Sequence, residues 1–149
     1  DALRFCDRPL PQDEAQARFS IQHALAAWLL WCEPRFEHYA PAAIDDPALA
    51  ALRARVQLRQ SDEYQSRYPA HYGAGVRIEC HDGRVLSAAL RDCWGDPARP
   101  MPDAAVRDKA QRLMAHAGWA SQRIAAALSA TEALPRAADL TELEKALQP

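Results

Sequence analysis

Most of the chain mixes apolar and polar positions, but one stretch is apolar almost throughout. Between Arg18 and Leu30 there is neither proline nor glycine, and from Ala24 to Trp31 every side chain is apolar. The pattern predicts a helix starting at Ile21, with Ser20 as N-cap, its hydroxyl accepting from the backbone N–H of Gln22 or His23. A helix that is apolar all round is expected to be buried on several sides. At about a dozen residues it is too short for a bilayer, which needs roughly 20 apolar residues. Its polar groups, Ser20, Gln22 and His23, gather in the first turn, where the positive end of the helix dipole suits a carboxylate.

The remaining elements follow from shorter signals. Leu3 to Cys6 reads as a short strand ended by Asp7-Arg8-Pro9, and Asp13 to Gln16 as a single helical turn. Pro34 stops the long helix, and Arg35 to Tyr39 offers another turn. Asp46-Pro47 is an N-cap followed by proline at the first helical position, opening a helix to about Ala54 that buries Leu49 and Leu52. Val56 to Arg59 alternates and predicts a short half-buried strand. Val76 to Cys80 and Val85 to Leu90 flank Asp82-Gly83, which predicts a β-hairpin with a type I′ turn. A proline-rich loop, Cys93 to Pro102, precedes a helix capped by Asp103, carrying Val106, Ala110, Leu113 and Met114, and ended by Gly118. Further helices are predicted over 120–134, with Ile124, Ala127, Leu128 and Leu134 inward, and over 140–147. The expected class is α+β: a helix with a short antiparallel sheet over 1–93, then a crossing loop and an all-helical tail over 94–149.

Composition narrows the function classes. A chain of 149 residues with 49% hydrophobic side chains has room for a real core. A formal net charge of −2 without Lys/Arg clusters leaves no footprint for nucleic acid or for an acidic membrane surface. The four cysteines, Cys6, Cys32, Cys80 and Cys93, form no CxxC pair and stand at no metal-finger spacing from histidine, so a zinc site is not expected. They read as small buried hydrophobes in a reducing compartment, and with no signal peptide at Asp1 to Arg4 the expected location is cytoplasmic. No Ser-His-Asp or Cys-His arrangement is readable, and the five glycines form no phosphate loop.

Three blocks carry a resemblance to a known family. They are Ala17-Arg18-Phe19-Ser20-Ile21-Gln22-His23 running on to Ala27; the Asp82-Gly83 hairpin with Trp94-Gly95-Asp96-Pro97 and Pro100; and the next helix with Lys109. Asp46-Pro47 and Arg55-Val56 fall between them in order. Together these resemble the C-terminal portion of the MmgE/PrpD family, whose members include 2-methylcitrate dehydratase, cis-aconitate decarboxylase and an iminodisuccinate epimerase. The resemblance implies a lyase or isomerase acting on small di- or tricarboxylates by proton abstraction next to a carboxylate, with no metal or organic cofactor. It implies part of an α/β lid domain, helices returning to a larger helical domain, and a homodimer. Family members are far longer, and the helical domain carrying most of their acid/base groups precedes the matching region, so the chain alone is expected to be inactive. Cys32 departs from the family pattern, in which glycine often ends this helix.

His23 falls where family members carry a Tyr or His facing the substrate cleft, making it the expected catalytic residue, with Arg18, Ser20 and Gln22 binding substrate. Near-neutral titration and bidentate carboxylate recognition suit His and Arg to those roles. The competing reading of His23 is a core histidine satisfied by a backbone carbonyl. His71 and His81 read as solvated loop residues, Lys109 as a structural ion pair, and the four tryptophans as core or interface. The alternative to an enzyme part is a non-catalytic folded or dimerisation module.

Overall fold

The computed structural model describes residues 2–148, and the chain divides into two compact units, one ending at Tyr68 and one starting at Pro69. The first unit is helical: α1 (Ala2–Phe5), α2 (Glu14–Arg18), α3 (Ile21–Trp31), a 3-10 turn Phe36–Tyr39, α4 (Pro41–Ile44), α5 (Pro47–Arg53) and α6 (Asp62–Gln65). The second holds the hairpin β1 (Ala74–Glu79) and β2 (Val85–Leu90), then α7 (Asp103–His116), α8 (Ser121–Ala133), a 3-10 turn Leu134–Arg136 and α9 (Thr141–Leu147). The α+β class is as the sequence predicts. The hairpin belongs to the same compact unit as the C-terminal helices.

In the first unit α3 packs on α5. Ala26 and Ala27 bring the two helices together over Leu49, all three fully buried, and half-buried Trp31 and Leu52 flank them. The small alanines let the backbones approach closely, so the core is narrow. Only one face of α3 is covered. Trp28, Leu29 and Leu30 are exposed, Trp28 to 56%, whereas the uninterrupted apolar run predicts burial on several sides. Asp46 caps α5 as predicted, accepting from Leu49 N at 2.8 Å, and Asp13, read only as part of a helical turn, caps α2 by accepting from Gln16 N at 2.8 Å.

Neither predicted isolated strand forms. Cys6 N donates to Ala2 O and closes a helical turn, and residues 56–59 run without a ladder. A lone strand has nowhere to place its backbone hydrogen bonds. The hairpin pairs in register from Ala74↔Leu90 to Glu79↔Val85. Its turn is not type I′: Cys80 pairs with Arg84 around three residues, and only Gly83 has positive φ, +84°. The loop takes three residues, His81 to Gly83, and places Gly83 in the left-handed position that closes such a hairpin.

In the second unit α8 buries Ile124, Ala127 and Leu128 along one stripe, and α7 and α9 pack on it. Leu134 is half-buried. Helix α7 buries nothing fully, and Val106 and Leu113 are exposed. Its N-cap position is Pro102 and not Asp103, which stands in the first turn. Gly118, at φ +82°, ends α7: its N–H donates to Ala115 O and that of Trp119 to Met114 O, the Schellman pattern. All four cysteines are free, and Cys32 and Cys93 are exposed, contrary to the expected burial. Trp28 and Trp94 are exposed as well, while Trp31 and Trp119 are half-buried.

Candidate functional site

The polar start of α3 is a built feature. Ser20, Gln22 and His23 are all buried. Ser20 Oγ accepts from His23 N at 3.0 Å and donates to Arg8 O at 2.6 Å, so one hydroxyl caps the helix and ties down the lead-in segment. Gln22 Oε1 accepts from Arg8 N, and its Nε2 donates to Asp7. Ile21 N donates to Cys6 O. The helix start is thus taken up by the chain's own residues 6–8, and the polar first turn that the sequence offers to a carboxylate is already partnered here.

His23 is fully buried. Its Nε2 donates to His38 O at 2.8 Å and its Nδ1 accepts from Arg53 Nη1 at 3.3 Å. This fixes the Nε2–H tautomer, because a carbonyl only accepts and a guanidinium only donates. Burial pushes its pKa below the usual histidine value, the Arg53 charge adds to that, and the His38 carbonyl opposes it. The ring is a neutral connector with both nitrogens engaged, and it presents no edge to solvent. Tyr39 covers it with ring centroids 5.2 Å apart. His38 in turn stacks on Trp31 at 4.0 Å and accepts from Arg35 N at 2.9 Å.

Arg53 is the member that sequence reasoning misses. It is buried, its Nη1 also donates to Ile44 O at 3.2 Å, and its Nε is buried without a partner. Burial lowers its pKa, and Asp45 counters the effect. Four residues after Leu49 on α5, it shares the buried face; that periodicity was the available signal. Arg18 stands apart, exposed and paired with Glu14 one turn earlier. The structure therefore brings together Ser20, Gln22 and His23 and leaves out Arg18.

A second cluster lies at the open end of the hairpin. His71 Nδ1 meets Asp92 Oδ1 at 2.6 Å, and Arg91 Nε donates to Asp92 Oδ2 at 2.8 Å. The bonds from Arg91 and His71 hold the Asp92 carboxyl below its usual range. His71 is far from Asp92 in sequence, and hairpin closure joins them.

Among the described residues no group of three or more His, Cys, Asp or Glu side chains is placed to hold a metal ion. No helix among them is long and apolar enough to cross a membrane.

No curated protein matches the chain. The MmgE/PrpD C-terminal domain matches it over residues 1–132. That span contains the α3–α5 core, the hairpin and the first two helices of the tail up to Glu132. The chain belongs to the MmgE/PrpD family, of which it carries the C-terminal domain.

Proposed function

We propose that the chain forms the C-terminal part of a lyase or isomerase that removes a proton next to a carboxylate of a small di- or tricarboxylate. The observation that carries this reading is the family match over residues 1–132. The exposed apolar residues of α3, Trp28, Leu29 and Leu30, support it, because they suit a chain that packs against a further helical body or a second copy of itself. In this reading the catalytic machinery is shared with that body and the assembly is a homodimer.

His23 enters as a positioning residue. With both nitrogens engaged, it links α3 to the Phe36–Tyr39 turn and to Arg53 of α5, and so sets where this face of the unit stands. Ser20 and Gln22 do the same for residues 6–8.

The test is proton exchange. The complete gene product is incubated in D2O with 2-methylcitrate, citrate, cis-aconitate and malate, and the proton spectrum of each substrate is followed. Loss of the C–H signal next to a carboxylate, by exchange or elimination, is the expected result. No exchange with any of them, from folded protein, refutes the reading and favours a non-catalytic module. His23→Ala is expected to lower stability and turnover together, whereas a proton-transfer residue would lower turnover alone.

A further inference from the structure

The His71 cluster has the parts of a proton-accepting site. His71 stands just before β1 and Asp92 just after β2, and the Ala74↔Leu90 pairing brings these ends face to face. The Asp92 side chain is 9% exposed, against 31% for His71 and 60% for Arg91. A buried carboxylate thus holds two outward groups, one on each oxygen. An ionised carboxylate only accepts, so Nδ1 of His71 carries the hydrogen and Nε2 bears the lone pair of the neutral ring. The His71 side chain keeps part of its surface open, so the ring is not sealed from solvent. Arg91 gives Nε to Asp92, which leaves both terminal nitrogens of its guanidinium for another acceptor.

We propose that His71, oriented by Asp92, is a further proton-transfer residue, with Arg91 beside it to receive the substrate carboxylate. The inference rests on the proposed reaction class. Histidine held through Nδ1 by a carboxylate presents Nε2 in a defined direction, and the carboxylate balances the imidazolium charge once a proton arrives. The Nε2 lone pair takes the proton, the C–H bond breaks, and its electron pair moves into the adjacent carboxylate held by Arg91. In an elimination that pair forms the C=C bond, the β-hydroxyl departs, and the imidazolium proton leaves with it as water. In an epimerisation the proton returns to carbon. Asp92 is a positioning residue, touching no substrate.

The experiment reads binding and turnover separately. Citrate is titrated into the complete gene product while the imidazole nitrogens are followed by long-range 1H–15N correlation, with His71→Gln assigning the His71 signals. Saturable movement of the His71 resonances is expected, weakened about tenfold in Arg91→Gln by loss of the carboxylate contact. With a turned-over substrate, His71→Gln is expected to lower kcat by about 10²–10⁴-fold, and Asp92→Asn to displace the pH–rate profile. Backbone amide spectra verify that each variant keeps the hairpin. His71 signals unmoved by citrate overturn the inference whether or not the protein turns over any substrate. Full turnover by a folded His71→Gln variant overturns it while leaving the proposed function standing. Absence of turnover in the unsubstituted protein refutes the proposed function itself.

Discussion

Replacing Cys32 by glycine should stabilise the protein. Cys32 ends α3 with φ 58° and ψ −28°, and it is the one non-glycine residue among those described with positive φ. Its side chain is exposed and its thiol is free, so little packing is lost by removing it. An L-residue in the left-handed region costs about 1–2 kcal/mol. The ψ angle lies well below the centre of the left-handed basin, near +47°, which places Cys32 toward the upper end of that range. Glycine escapes the steric cost but loses about 0.4–1 kcal/mol through greater freedom in the unfolded chain. The net gain is about 1 kcal/mol. For a unit the size of residues 1–68 this corresponds to a rise of roughly 4–8 °C in Tm. The assay is thermal unfolding by circular dichroism, with Cys32→Ala as the control. Alanine keeps the Cβ and should gain nothing. An unchanged or lower Tm for Cys32→Gly, or an equal rise for Cys32→Ala, would show that the residue stores no backbone strain.

Two further outcomes follow from the α3 site. Ser20→Ala removes both the cap on His23 N and the bond to Arg8 O, and should destabilise by about 1–2 kcal/mol in denaturant titrations; Ser20→Thr should recover part of the loss. The lowered pKa of His23 makes stability depend on pH: the unfolded chain binds the proton first, so the contribution is whole above the unfolded value near 6.5 and is lost as pH falls from there through the folded value. Unfolding free energy should therefore drop between neutral and mildly acidic pH, and His23→Gln should flatten that part of the profile. An unaltered slope in the variant would mean that other groups control it.

Features with local causes were legible in the chain's own residues. Ser20 and Asp46 cap helices because a short oxygen-bearing side chain meets the next turn's N–H groups. Gly118 stops α7 and Gly83 turns the hairpin because each takes a φ that other residues resist. The three blocks around the Ser20 helix, the hairpin and the Lys109 helix were enough to place the chain in its family. Partnership was decided by the tertiary structure. The strands expected at 3–6 and 56–59 needed neighbours that the fold does not supply, and the apolar run of α3 found cover on one face only. His23 had two readings in the sequence. Its burial against the His38 carbonyl and the guanidinium of Arg53 depends on α5 and the Phe36–Tyr39 turn arriving from elsewhere in the chain. The same is true of His71, which reads as a solvated loop residue until strand pairing brings its imidazole within hydrogen-bond reach of the buried Asp92 carboxylate.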